Sequence, residues 1–148
     1  MSKPIVEAVV EFLQGCPHLE KLKAGLSVDF MKEKPGKPPT FVIESVPVNP
    51  VIRSYIGGSA RKQFVFVFAS KEWYGRDIVQ NIKNIGFYED FSAWLDEQSR
   101  NRNLPVLEDG KKALNIKALT TPFIIDNEID KARYQIQCRL EYFEPAAN

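Results

Sequence analysis

A thiol and an imidazole lie close together in the sequence, at Cys16 and His18. Such a pair can supply nucleophilic catalysis when the imidazole withdraws the thiol proton. However, side chains two positions apart rarely face each other, and the sequence marks no third group that would orient the imidazole. His18 is also the only histidine of the chain, which excludes a metal site with two histidine ligands. We therefore expect no catalytic residue, no metal site and no cofactor, and a protein that is not an enzyme.

The remaining polar clusters lack the spacing that known site chemistries require. Asp126, Glu128 and Asp130 could attract a hard cation, but the central glycine and the closing bidentate glutamate of a calcium loop are missing. Gly57 and Gly58 belong to neither a GxxxxGK(S/T) nor a GxGxxG frame, so they do not predict a phosphate loop. These features indicate a charged loop and a turn.

Charge is nearly balanced over the whole chain but is unevenly distributed along it. The 148 residues include 20 Lys and Arg against 19 Asp and Glu, which argues against a protein that grips nucleic acid through a basic surface. Residues 1–75 carry 10 basic and 7 acidic residues, or +3, and residues 76–148 carry 10 and 12, or −2. This asymmetry suits a head-to-tail contact between identical subunits. There are two alternatives: the basic and acidic patches are both simply solvated, or Arg61 and Lys62 bind phosphates.

The elements that carry these groups follow from the hydrophobic pattern. We predict a helix that begins at Ser2 or Lys3, because apolar side chains repeat at helical spacing from Ile5 to Leu13; Gly15, followed by Pro17, ends it. Alternating patterns predict strands at 26–30, 41–45, 51–56, 63–69, 114–118, 123–125 and 133–142, with Gly57–Gly58 as the turn of a hairpin. Residues 76–100 have the pattern of a long helix with two apolar stripes and a kink or break at Gly86.

Two strands indicate how the layers are arranged. In residues 63–69 phenylalanines occupy one face and valines the other, which predicts a central strand covered on both sides. In residues 133–142 apolar and polar side chains alternate, so one face packs on a core and the other meets water or a partner. We predict one α+β domain over residues 1–148, in which the N-terminal helix and the long, kinked helix pack on a mostly antiparallel or mixed sheet.

The sequence also indicates a compartment. No apolar run approaches the roughly 20 residues of a membrane helix, so we expect no membrane association. Cys16 and Cys138 lie outside any CxxC motif, and two thiols in a domain of this size suggest a reducing environment. We expect synthesis in the cytoplasm.

Several segments resemble a family of small structural proteins of long-tailed phages and prophages of Gram-positive bacteria. They are residues 50–55, 68–72, 74–75, 84–98, 103–107, 116–120 and 132–142, and the resemblance spans about residues 2–144. Some members carry the label chloramphenicol resistance protein. An acetyltransferase of that kind uses a histidine base in an HxxxD frame, whereas Leu22 stands where the frame after His18 requires aspartate. The sequence gives that label no support.

The resemblance implies a minor capsid or tail component of the virion, and the order of elements is similar to the tail-terminator fold. Six copies of such a protein form a ring that caps the tail tube and presents the surface that docks on the head. The implied partners are further copies of the chain, the tail tube protein and the head or neck connector proteins, and DNA passes through the ring without specific binding. A neck-completion protein is the alternative within the same class, and a small enzyme or ligand-binding module is the alternative outside it.

A closed ring needs two different complementary surfaces on each subunit. We predict that the hairpin at residues 51–64 supplies one surface, with a Gly57–Gly58 tip poor in apolar side chains. The predicted interface residues on the hairpin are Arg53, Tyr55, Gly57, Gly58, Arg61 and Lys62. The predicted acidic partner residues are Glu89, Asp90, Asp96 and Glu97 on the helix, or Asp126, Glu128 and Asp130 in the late loop. Reversing Arg61 and Lys62 to glutamate should weaken assembly and leave the monomer folded.

The polar face of the last strand is the candidate lining of a lumen or partner surface. Its residues are Arg133, Gln135, Gln137, Arg139 and Glu141. A mixed and nearly neutral face would let DNA pass without gripping it. Simple exposure to water is the alternative.

Overall fold

The computed structural model describes residues 3–17, 26–28, 40–73, 78–127 and 131–147. Its helices are α1 (Ile5–Leu13) and α2 (Ile78–Arg100), and its strands are β1 (Leu26–Val28), β2 (Thr40–Ser45), β3 (Val51–Ser54), β4 (Ala60–Trp73), β5 (Lys112–Ala118), β6 (Phe123–Asn127) and β7 (Lys131–Glu144). No helix within these residues is both long enough and apolar enough to cross a membrane.

Two 14-residue strands, β4 and β7, form the antiparallel centre of one seven-stranded sheet. They pair along their whole lengths, from Ala60 opposite Glu144 to Trp73 opposite Lys131. The other strands therefore lie on the outer edges of this pair. β2 and β3 follow each other along β4, and β5 and β6 follow each other along β7. β1 extends the sheet beyond β2 and is parallel to it.

One face of the sheet carries the main core, because side chains of the central strands alternate between the two faces. The fully buried apolar and aromatic side chains of β4 and β7 on this face are Phe66, Phe68, Tyr134, Ile136, Cys138 and Leu140. The helices cover them with the buried side chains Val9, Leu13, Tyr88, Phe91, Trp94 and Leu95. The opposite face holds a smaller cluster of Val42, Val67 and Ala69. The prediction of a central strand covered on both sides is confirmed.

Two hydroxyl groups attach α2 to the sheet. The Tyr88 hydroxyl shares a 2.6 Å hydrogen bond with the Ser70 hydroxyl and donates to the carbonyl of Tyr134 at 3.0 Å. Near the end of the helix, the Ser99 hydroxyl donates to the Ile116 carbonyl at 2.6 Å and accepts from the Ile116 N–H at 3.0 Å. Ser99 thereby satisfies both backbone groups of a buried residue in β5, an outer strand of the sheet.

The α+β class, the mostly antiparallel sheet and the two helices are confirmed, but α2 differs from the prediction. The helix continues through Gly86, so the predicted break is absent. The apolar stripe after Gly86 is buried at Phe91, Trp94 and Leu95, whereas Ile85 before it is exposed.

The pattern at residues 114–118 also misled the sequence analysis. Leu114 and Ile116 were predicted to share a face, yet Ile116 is buried and Leu114 is exposed. A register shift between Ala113 and Asn115 explains the difference, because the bulge places Ala113, rather than Leu114, opposite Tyr142 on the core side.

Candidate subunit interface

The hairpin formed by β3 and β4 has the glycine turn that the sequence predicted. The Gly58 N–H donates to the Tyr55 carbonyl at 3.2 Å, and the Tyr55 N–H donates to the Ser59 carbonyl at 2.9 Å. Gly57 and Gly58 have φ angles of 104° and 100°, a region that side chains with a Cβ avoid. A Cβ on Gly58 would meet that of Ala146 at 3.3 Å, so the tip lies against the chain's C-terminal segment.

The hairpin and the residues before it expose a concentrated set of apolar side chains. Of the eleven large hydrophobic residues that are exposed in the described part of the chain, five lie between positions 48 and 56: Val48, Val51, Ile52, Tyr55 and Ile56. Ile56 is 107% exposed. The expectation of a tip poor in apolar side chains is therefore wrong. The signal was present in the sequence, since Ile56 directly precedes the two glycines.

The four residues of β3 are all exposed, and the strand pairs only along one edge within the described residues. An unpaired edge that also carries apolar side chains is a typical site of protein association. Arg53 extends the same surface, because its guanidinium lies 5.8 Å from the centre of the Tyr55 ring. Among the described residues Arg53 has no carboxylate partner.

Arg61 and Lys62 differ from Arg53 because each is already paired within the chain. Arg61 donates from Nε to Glu141 at 2.9 Å and also contacts Glu141 through Nη2. Lys62 forms an ion pair with Glu144, and this hydrogen bond raises the pKa of Lys62. Reversing these two charges would therefore also remove ion pairs within the monomer; that the monomer stays folded remains a prediction.

Glu141 is a buried carboxylate at the centre of a partly exposed cluster of charges on the face opposite the helices. Besides Arg61, it binds Arg139 at 2.7 Å and accepts from Asn115 at 3.3 Å. Burial destabilises the carboxylate charge. This effect is outweighed by the hydrogen bond from Arg61, by the positive charges of Arg139 and Arg61, and by the hydrogen bond from Asn115. The pKa of Glu141 is consequently lowered.

The polar face of β7 is less open than the sequence suggested. Gln135 and Glu141 are buried, and Arg133, Gln137 and Arg139 are half-buried. Arg133 pairs with Glu44 of β2 at 2.6 Å. The face is therefore only partly open to water, and its two arginines each contact a carboxylate of the same chain; lumen and simple solvation both stay predictions.

The acidic residues predicted on α2 as partner residues lie at the surface. Glu89, Asp90, Asp96 and Glu97 are exposed, and none of them pairs with a basic side chain among the residues described here. In the other predicted surface, Asp126 lies in β6 at the register position opposite Arg133. Glu128 and Asp130 lie outside the described residues.

No family model matches the chain, and no curated protein matches it. Its function must therefore be inferred from these surfaces and from the resemblance of its segments.

The groups considered for catalysis or metal binding do not form a described site. Cys16 and Cys138 are both buried in the core, and burial raises the pKa of the Cys138 thiol. His18 lies outside the described residues, so the pairing with Cys16 stays untested. Within the described ranges, no group of three His, Cys, Asp or Glu residues is placed to hold a metal ion.

A groove that the sequence analysis missed lies between α1, the end of α2 and the loop after α2. Its volume is about 520 Å³, and its walls include Phe12, Trp94, Leu104, Pro105 and Val106. Phe12 and Trp94 contact each other with ring centres 5.0 Å apart. Each was predicted as part of an apolar stripe, but nothing in the local sequence indicated that the stripes of α1 and α2 meet beside an exposed loop.

Proposed function

We propose that this protein is a structural protein of a phage virion, made in the host cytoplasm, and that it acts as a tail terminator. In this proposal its copies form a ring at the head-proximal end of the tail tube and join the tail to the head. The observation that carries the proposal is the hairpin with its exposed apolar side chains and unpaired edge. The resemblance of its segments to phage structural proteins specifies the kind of assembly.

A hairpin of this kind favours head-to-tail association. The apolar side chains cluster on one sheet edge, at Val51, Ile52 and Ile56, whereas the exposed carboxylates cluster on α2. A contact that joins two different surfaces repeats from subunit to subunit and closes into a ring when the rotation permits. Burial of the apolar side chains would supply most of the affinity, and charge would favour the correct register.

The polar face of β7 has the properties expected of the lining of a channel through which DNA moves. Arg133 pairs with Glu44, and Arg139 shares Glu141 with Arg61, so these five side chains carry a net charge of only +1. A face whose cations are already paired has little excess charge with which to bind phosphates. In this proposal DNA passes the ring without being held.

The experiment that tests the function is electron microscopy of particles made after an early stop codon is placed in this gene. We expect DNA-filled heads separate from tails of uncontrolled length, because an unterminated tube continues to grow. Finished tails beside heads that have leaked their DNA would assign neck completion instead. Intact infectious particles would contradict both structural roles and favour an enzyme or a ligand-binding module.

The copy number is tested on the purified protein. Native mass spectrometry should detect a closed oligomer, with six copies expected from the resemblance. A symmetric dimer as the largest species would contradict a ring, because a two-fold contact uses the same surface on both subunits.

A further inference from the structure

We propose that the polar face of the sheet, the face opposite the helices, contacts the phosphates of duplex DNA through Lys112 and Lys117 of β5, beside Arg61 and Arg139. The proposal rests on the proposed function, in which the polar face of β7 lines a channel for DNA. It goes beyond that function because it assigns a weak contact, independent of base sequence, to two side chains of the neighbouring strand.

Strand register places both lysines on the polar face. Lys117 lies directly opposite Arg139. Lys112 lies directly opposite Phe143, which in turn lies opposite Arg61. Directly opposite residues of antiparallel strands share a face of the sheet, so the four cations are on the same side. Both lysines are exposed, and neither has a carboxylate partner among the residues that the structure describes.

The two lysines make this face positive. Its paired side chains carry +1 in total, because three arginines face the carboxylates of Glu44 and Glu141. Adding Lys112 and Lys117 raises the sum to +3. Arg53 lies opposite Arg61 on β3, but it belongs to the edge assigned to the subunit contact and is not included in this sum. The excess charge is therefore supplied by β5, which the polar pattern of β7 alone does not reveal.

The spacing of the two lysines suits a DNA backbone. They lie opposite residues of β7 that are four positions apart, so they are separated by about 14 Å along the strand. Each strand of duplex DNA carries one phosphate for every 3.4 Å of helix axis, so the two ammonium groups contact different phosphates. Contacts of this kind carry no sequence information. They also allow a protein to slide along DNA, which is compatible with passage through a ring.

DNA fits this face better than an acidic protein surface does. Among the side chains that the structure describes, no exposed large hydrophobic residue lies on β4 or β7. Val65, directly opposite Arg139, is buried. Protein interfaces usually have an apolar centre, whereas interfaces with DNA are more polar and more positively charged. The centre of this face therefore has the composition of a surface that contacts nucleic acid.

The first test measures binding of the full chain to a fluorescently labelled DNA duplex of arbitrary sequence by fluorescence anisotropy. A net charge of +3 corresponds to about three phosphate contacts, so the association constant should fall about fortyfold from 50 to 200 mM salt. Lys117→Gln removes one contact. We expect it to weaken binding about tenfold at 50 mM salt and about fourfold at 200 mM. Lys112→Gln should have the same effect.

The matched control is Arg100→Gln. Arg100 is an exposed cation at the end of α2, on the helix side of the sheet, so this variant removes the same charge from the other face. We expect it to change DNA binding less than twofold. Circular dichroism checks that all three variants are folded, and sedimentation without DNA checks that their self-association is unchanged.

The second test locates the contact on the protein. A photoactivatable crosslinker attached to the thiol of Lys117→Cys should form a covalent adduct with the duplex, whereas the same crosslinker on Arg100→Cys should not. Cys16 and Cys138 are buried, so the crosslinker reacts with the introduced thiol in the folded protein. Equal yields of adduct from the two variants would contradict a contact on the polar face.

Two results would overturn the DNA contact. One is a wild type that does not bind the duplex at 50 mM salt, and the other is an equal loss of binding in Arg100→Gln and Lys117→Gln. If the lysine variants weaken self-association and leave DNA binding unchanged, the face meets an acidic surface of another copy and the DNA contact is likewise wrong.

The stop-codon particles separate this proposal from the proposed function. Tails of uncontrolled length, together with a wild type that does not bind DNA, would reject only the contact. Intact infectious particles, together with DNA binding that depends on Lys112 and Lys117, would reject the tail-terminator function and keep the contact. Loss of binding in both lysine variants, with the Arg100→Gln control unaffected, supports the contact.

Discussion

Glu141 is a buried carboxylate whose charge is retained because two guanidinium groups face it. Its side chain is only 7% exposed, and Arg61 and Arg139 contact its two oxygens. Removing the carboxylate charge would leave Arg139, which is 25% exposed, and the more exposed Arg61 without their anion. This cluster joins β4 to β7 at residues 80 positions apart in sequence.

We expect Glu141→Gln to lower the free energy of unfolding by about 1–3 kcal/mol, because a partly buried charge network loses its anion. Urea unfolding at pH 7 measures the change. The control is Glu89→Gln, which alters an exposed carboxylate and should change stability by less than about 0.5 kcal/mol. Equal effects of the two variants would contradict the role assigned to the cluster.

The same carboxylate should make stability depend on pH. The pKa of Glu141 is lowered in the folded protein, so its contribution is complete above the pKa of the unfolded chain, about 4.3. The contribution is lost as pH falls from there through the lower pKa of the folded state. The stability difference between the wild type and Glu141→Gln should therefore shrink as pH falls through this window. A difference that grows on acidification would contradict the assigned direction.

At the scale of elements, Ser99 joins the end of α2 to β5. Its hydroxyl bonds both backbone groups of Ile116, which is fully buried. We expect Ser99→Ala to lower the free energy of unfolding by about 1–3 kcal/mol, because a buried N–H and carbonyl lose their partner. Chemical denaturation measures the loss. Ser99→Thr keeps the hydroxyl, and a loss as large as that of the alanine variant would indicate that packing matters more than hydrogen bonding.

Two glycines should respond in opposite directions to the same substitution. Gly57 has a φ of 104°, so Gly57→Ala should destabilise the hairpin turn by about 1–2 kcal/mol. Gly86 lies inside α2, and an added Cβ would meet nothing within 4 Å. Gly86→Ala should therefore raise stability by about 0.5–1 kcal/mol. Thermal unfolding of the pair provides the comparison, and a stabilising Gly57→Ala would contradict the turn geometry.

At the scale of the whole molecule, Arg53, which has no carboxylate partner among the described residues, should affect association rather than folding. We expect Arg53→Glu to weaken self-association about two- to fivefold, since an exposed pair contributes up to about 1 kcal/mol. The difference from the wild type should diminish in high salt, which screens exposed charges.

Sedimentation at two salt concentrations measures the effect of Arg53→Glu, and the urea midpoint should stay unchanged. Lys117→Glu is the matched control, because Lys117 is exposed on β5, across the sheet from the hairpin. An equal effect of both variants would mean that overall charge, and not the hairpin surface, controls association.

The local features of this fold follow from the sequence alone. The alternation of β7 places Tyr134, Ile136 and Leu140 on one buried face as predicted, because successive side chains of a strand point to opposite sides. The hairpin turn was predictable for a similar reason: a positive φ favours glycine, and two glycines separate two strand patterns. Each of these signals lies within a few neighbouring residues.

The tertiary structure decided the features that depend on register and on distant partners. Arg61 looked free for a neighbouring subunit until the pairing of β4 with β7 placed Glu141 beside it. The alternating pattern had placed Leu114 on the same face as Ile116, but the bulge turns Leu114 to the exposed face. The groove exists only because Phe12 and Trp94, on helices far apart in sequence, meet beside Val106. Strand register and helix packing are set by contacts across the whole core, and a pattern of neighbouring residues does not contain them.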